Sequence, residues 1–341
     1  MSDSNARSGV IAGGNWIVDQ VKMIDAWPKQ DALATIRDQF RANGGAPYNV
    51  LKDLAILGAG YPREAVGLVG DDDFGRWIRE DCRAYGVDTA QLRTTAKAPT
   101  SFTDVMTVAG TGRRTFFHQR GANALLAPEH FDFSRTRARF FHLGYLMLLD
   151  TLDAPGADGR PQACAVLEAA ARAGLTTSVD LVSAEIGSFA NVVLPVLPLV
   201  DYLFLNEYEA SRVTGLRLRG EKLDGAQVRE AAQILRRGGV RQVVFIHFPE
   251  GACCCDGEGT LFWQPSVDVP VADIRGAAGA GDAFAAGVLH ALHEGRPVAD
   301  ALLLGVAVAA SSLADPTCSG GIVEERQCLE RAQRAGFRSE S

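Results

Sequence analysis

Gly276-Ala277-Ala278-Gly279-Ala280-Gly281-Asp282-Ala283-Phe284 runs directly into a helical apolar pattern through Val288, Leu289 and Leu292. Small residues at a helix start leave backbone N–H groups free to face an anion, and the helix dipole favours negative charge there. Asp282 at that same start admits two readings. It is a first-turn acid that stabilises the helix by about 0.3–1 kcal/mol, or a general base beside a phosphate held by the preceding amides. Spacing alone allows both.

Outward from this segment, a chain of 341 residues, 47% hydrophobic and 22% charged, can bury a sizeable core and is not disordered. Short apolar runs at 9–12, 65–69, 139–143, 176–180, 201–205 and 242–247 alternate with amphipathic stretches at 48–57, 74–85, 162–173, 227–237, 282–293 and 299–313. This alternation predicts a doubly wound, mostly parallel α/β sheet with helices on both faces. Two regions break it. Residues 18–27 and 100–119 read as β segments without helices, and Thr103 to Thr107 and Thr115 to Phe117 flank the turn Gly110-Thr111-Gly112. They predict a small β-sheet lid, drawn from about 16–27 and 100–120, on a single domain spanning 1–335 with a polar tail at 336–341. The cleft between lid and sheet is the expected ligand site.

Several functions are excluded. A net charge of −7 gives no general field for nucleic acid or an anionic membrane. The longest apolar run, near 301–314, falls short of the ~18–20 residues of a membrane span and is bracketed by Asp300 and Asp315. Residues 1–10 lack the apolar run of a signal peptide, so a cytoplasmic location is expected. The seven cysteines, including Cys253-Cys254-Cys255, form no CxxC pair and read as reduced, buried thiols. Walker A, dinucleotide, protein-kinase, zinc-protease and hydrolase-elbow motifs are all missing.

The Gly279-Ala280-Gly281-Asp282 segment resembles the C-terminal signature of the ribokinase-like (PfkB) carbohydrate kinase family, D-T-x-G-A-G-D before a helix. Gly14-Asn15-Trp16-Ile17-Val18-Asp19 resembles that family's first strand and turn. Asn43-Gly44-Gly45-Ala46-Pro47-Tyr48-Asn49-Val50 resembles its glycine pair and downstream Asn, although an ordinary turn before a helix would look the same. Gly67 to Gly75 is similar to its G-x-V-G-D-D-x-F-G run and reads as structural, while Gly121 to Pro128 resembles the return from lid to core. Asn206-Glu207-Tyr208-Glu209 resembles its N-x-x-E motif; the plainer reading is a helix N-cap followed by an acid.

The resemblance implies a ribokinase-like fold and an ATP-dependent small-molecule kinase. Asp282 would be the general base, and Gly279, Ala280 and Gly281 an anion hole. Asp19, Gly44, Gly45 and Asn49 would orient the acceptor. Asn206 and Glu209 would organise magnesium through its waters, with no direct protein ligand. The adenine is expected near the segment after 242–247 and around 307–311. A homodimer through the lid is expected from its edges and face. Gly276 and Ala277 replace the signature's Asp and Thr, close to the monovalent-cation site of relatives that use one, and Asp180-Leu181-Val182-Ser183 departs from the D-x-N-x-R form. The expected acceptor is a neutral polyol, a sugar before a nucleoside or inositol, because no cation adjoins Asp19 or Gly44-Gly45 in sequence and only Arg120 offers a lid cation. The rival from another class is a sugar- or nucleotide-binding protein without turnover.

Overall fold

The computed structural model describes residues 7–111, 113–185 and 188–339. Strands β1 (Val10–Gly14), β4 (Arg63–Gly70), β5 (Asp88–Thr95), β8 (Phe140–Leu146), β9 (Thr176–Leu181), β10 (Tyr202–Asn206), β11 (Val243–Phe248), β12 (Gly251–Cys255) and β13 (Leu261–Pro265) form one sheet. Its order is β13-β12-β11-β10-β9-β8-β1-β4-β5. From β11 across to β5 every pairing is parallel, whereas β12 and β13 add antiparallel at one edge. The central strands are covered on both faces, which is why they read as near-continuous apolar runs.

One face carries α1 (Ala46–Ile56), α2 (Asp73–Ala84), α8 (Ala280–His293), α9 (Val298–Ser312) and α10 (Glu325–Ala335). The other carries α3 (Asp150–Asp153), α4 (Ala163–Arg172), α5 (Phe189–Val193), α6 (Glu207–Thr214) and α7 (Gly225–Arg237). Each of the six strands and six long helices read from periodicity has its counterpart here. Strand β5 escaped that reading because Asp88-Thr89-Ala90-Gln91 is polar, and Cys253–Cys255 turn out to be the buried centre of β12. Among the described residues no helix is long and apolar enough to cross a membrane.

A second sheet, the lid, comprises β2 (Ile17–Ile24), β3 (Ile36–Gly44), β6 (Ser101–Val108) and β7 (Arg114–Gln119), in the order β3-β2-β6-β7. It therefore draws on three segments rather than the two expected. The third, β3, gave no strand signal because Arg37, Asp38, Gln39 and Arg41 lie exposed. Antiparallel pairing of β6 with β7 fits the expected hairpin, whose Gly112 lies outside the described residues. β2 and β6 pair in parallel.

β1 is the switch point of the large sheet, with β4 on one side and β8 on the other. The crevice at the carboxyl ends of the strands around such a point is where open α/β sheets bind ligands. Gly14, Tyr145, Asp180, Asn206 and His247 all stand at those ends.

Candidate active site

Gly279, at φ 73°, takes the left-handed turn that starts α8, and a Cβ there would lie 2.6 Å from the Cβ of Cys318. Among the described residues the amides of Gly281 and Asp282 have no backbone acceptor, as expected for a first helical turn; the amide of Ala280 is partly engaged by the Ala277 carbonyl at 3.4 Å. Asp282 is only 3% exposed. Its Oδ2 accepts a hydrogen bond from Asn49 Nδ2 at 2.6 Å, and the Tyr145 hydroxyl donates at 2.7 and 3.0 Å to its two oxygens. A helix-stabilising acid needs no such partners; here they fix the carboxylate in place.

Burial pushes the Asp282 carboxyl up to about 6, and hydrogen bonds from Asn49, Tyr145 and Asp180 hold it from rising further. Asp180, at the end of β9, is pushed far higher by burial and by the charge of Asp282. Of this pair Asp180 keeps the proton and Asp282 carries the charge. A general base near neutrality needs that arrangement.

On the lid side, Asp19 keeps partial exposure to the cleft, yet burial raises its carboxyl to about 7 against the hydrogen bonds of the Cys318 thiol and the Thr103 hydroxyl. The Cys318 thiol lies 3.7 Å from Asp19 Oδ2. Gly44 is required by this carboxyl, since a Cβ on it would lie 2.5 Å from Asp19 Oδ1. Gly45 has φ 85°, and a Cβ there would lie 2.0 Å from the Asn15 carbonyl oxygen. Asn49, expected to face the acceptor, is buried and turned inward: Nδ2 is spent on Asp282, and Oδ1 accepts from Asn43 Nδ2 at 2.6 Å. In this structure it orients the Asp282 carboxylate.

Arg120, the cation expected at the acceptor, is ion-paired with Asp150. Arg114 takes that place: its guanidinium adjoins Gly276 and its charge acts on Asp19. The sequence-based argument for a neutral acceptor therefore loses its premise.

A cavity of about 750 Å³ opens from Asp282 along the strand ends. Gly279 to Asp282, Ser183, Asn206 and Glu209 rim it, and His247, Val269, Ala309 and Leu313 form its far wall, close to where the adenine was expected. Asn206 and Glu209 form a capping box at the start of α6, with Asn206 Oδ1 accepting from the Glu209 amide and Glu209 Oε2 from the Asn206 amide, both at 2.9 Å. Ser183 Oγ and Asn206 Nδ2 each donate to Glu209 Oε1 at 2.9 Å. The plain reading of this motif as a helix cap is thus correct, and the same residues face the cavity. Burial raises Glu209 to about 7. Both its oxygens already accept hydrogen bonds, and among the described residues no group of three or more acidic, His or Cys side chains could hold a metal. Asn206 and Glu209 can meet a hydrated magnesium ion through its water shell.

Tyr145, Arg114 and Cys318 carried no motif, and Asn43 opened the glycine-pair segment without a role of its own. Asp180 was visible in sequence only as a departure from a pattern.

A doubly wound sheet with a β lid, a helix start bare of side chains and a buried carboxylate between them defines a small-molecule phosphotransferase. The chain belongs to the pfkB family of carbohydrate kinases, whose family model matches residues 15–325; it is a sugar or nucleoside kinase. It is similar to an ATP-dependent ribose-1-phosphate kinase of Halopiger xanaduensis, 29% identical over 287 residues that cover 82% of this chain and 83% of that one. A probable fructokinase-7 of Arabidopsis thaliana is 31% identical over 144 residues, 41% of this chain and 40% of that one. Among solved structures, a ribokinase from Giardia lamblia superposes with a TM-score of 0.78 at 17% identity, covering 95% of this chain and 99% of that one.

Proposed function

We propose that the protein transfers the γ-phosphoryl group of ATP to a hydroxyl of a sugar, with Asp282 as the general base. The observation that carries this is the position of Asp282: buried, held by Asn49 and Tyr145, and adjoining free amides at the start of α8. Asp19 accepts a hydrogen bond from the acceptor and sets its orientation. As the reacting hydroxyl attacks phosphorus in line, its proton passes to Asp282, and the Gly281 and Asp282 amides take up charge on the transferring group. The adenosine lies along the cavity toward His247 and Ala309. Magnesium, when bound with ATP, neutralises phosphate charge; Asn206 and Glu209 would hold it through its water shell. Closure of the lid excludes water.

The ribose-1-phosphate kinase relative spans nearly the whole chain and the fructokinase under half of it, which favours an aldopentose or its phosphate over a ketohexose. The test is ADP release with a panel of sugars, sugar phosphates, nucleosides and inositols, repeated with Asp282→Asn. Acceptor-dependent release should fall by ~10²–10⁴-fold in kcat in the variant. ADP release from no acceptor, with sugar binding intact, would leave the non-catalytic alternative standing; wild-type kcat in Asp282→Asn would remove the base assignment.

A further inference from the structure

We propose that Arg114 reads a negative charge on the acceptor, so that the sugar this kinase phosphorylates already bears an anionic group. This rests on the kinase reading above and adds its substrate class.

Residues two apart on a strand face the same side. On β7, Arg114 and His118 therefore share a face, opposite Thr107 and Thr103 of β6. Thr103 in turn pairs in register with Asp19, and His118 Nδ1 lies 3.0 Å from the Thr103 hydroxyl. That face is the one turned to the acceptor. From it the Arg114 side chain crosses the cleft to the loop before α8, where a Cβ on Gly276 would lie 2.7 Å from its Nη2. A side chain at position 276 would displace the guanidinium, and glycine leaves it room.

Once across, the guanidinium is half-buried and has no partner. Among the described residues it makes no hydrogen bond and stands within ion-pairing distance of no carboxylate, whereas Lys22 of β2 is paired with Asp104 and Arg120 with Asp150. An arginine cannot shed its charge, and holding it half-desolvated with Asp19 acting on it only from beyond ion-pairing distance leaves its donors unsatisfied. Its planar fork of donors suits a phosphate or carboxylate. Neither Arg114 nor Asp19 lines the cavity rimmed by the α8 amides, Asn206 and Glu209, although Phe116 of the same strand does, so a rise in KM for ATP in Arg114→Gln with no change for the acceptor would assign the anion to ATP and overturn the proposal. The unfilled partner lies on the acceptor side of Asp282.

The experiment compares neutral acceptors with anionic counterparts that keep the sugar ring, ribose against ribose 1-phosphate and ribose 5-phosphate and glucose against glucuronate, in wild type, Arg114→Gln and Arg114→Lys. The kcat/KM of wild type should favour an anionic acceptor over its neutral parent, and the phosphate and carboxylate arms tell which anion is read. Arg114→Gln should lower kcat/KM for that acceptor by about 10- to 100-fold more than for the parent, through KM, with part restored in Arg114→Lys. Calorimetric binding of the same sugars without ATP should show the same dependence on Arg114 whether or not turnover occurs. Preference for the neutral parent, or equal loss of kcat on both acceptors in Arg114→Gln, overturns the proposal. Arg114-dependent binding of an anionic sugar without any ADP release would sustain it and overturn only the kinase reading.

Discussion

The Tyr145 hydroxyl hydrogen-bonds both carboxylate oxygens of Asp282, at 2.7 and 3.0 Å. Asn15 fixes the tyrosine from behind, its Oδ1 accepting from the Tyr145 amide at 2.6 Å. A donor to a carboxylate stabilises the charged form. Tyr145→Phe should therefore raise the pKa of Asp282 and move the acid limb of kcat/KM to higher pH, with a rate about 2- to 10-fold lower at pH 7. A pH–rate profile identical to wild type would mean that the hydroxyl only fills space.

The wild-type profile has a sign fixed by the same carboxyl. Asp282 must be ionised to accept a proton, and its folded value is about 6. Below that pH, kcat/KM should fall roughly tenfold per unit, and above it level off. Rates measured in overlapping buffers at acceptor well below KM check this; a kcat/KM with no acid limb near pH 6 would remove Asp282 from the proton-accepting role.

Neighbouring glycines should fail in different ways. The Cβ of Gly44→Ala would meet Asp19 Oδ1 at 2.5 Å, a side-chain oxygen that can swing aside. The variant should fold, raise KM for the acceptor by about tenfold or more and leave KM for ATP near wild type. Gly45→Ala adds a positive φ to a 2.0 Å clash with backbone and should not yield folded protein. Equal effects of Gly44→Ala on both substrates would remove Asp19 from the acceptor site.

Asp53 of α1 is fully buried, and among the described residues neither carboxyl oxygen has a hydrogen-bond partner of good geometry, although the Ser319 hydroxyl lies near. Burial raises it well above the ordinary carboxylate range. The native state thus keeps a proton that the unfolded chain loses near pH 3.9, so this group makes stability fall as pH rises from there to the folded value. Asp53→Asn should unfold at a higher temperature than wild type at pH 8, with a smaller advantage at pH 5, since the neutral amide avoids the ionisation cost. Thermal melts at both pH values decide it, and a destabilised variant at pH 8 would mean that the carboxylate has a favourable partner.

The parallel strands were legible because burial on both faces writes an uninterrupted apolar run, as in Val243–Phe248. Asp282 was legible because close approach of backbone to an anion demands small residues, and those form a local pattern. Arg114 was not, since its significance depends on Gly276, far along the chain and joined to it only when the lid lies over the core. Asn49 was recognised but its contacts with Asn43 and Asp282 were not, because a motif gives a residue's position and not the neighbours at each end of its amide. Strand β3 was hidden by exposure: a lid strand with little core to cover keeps its polar residues.

The parallel seam between β2 and β6 has one more consequence. Parallel neighbours cannot be joined by a tight turn, and here α1, β4, α2 and β5 all intervene between them. The seam closes only after that intervening stretch of the core has docked, because the entropy of closing so long a loop must be met by contacts made elsewhere. Strand β2, which carries Asp19, waits for a partner translated some eighty residues later. The acceptor side of the lid thus assembles only after that stretch, and a nascent chain that ends at β5 still lacks the strand that completes it.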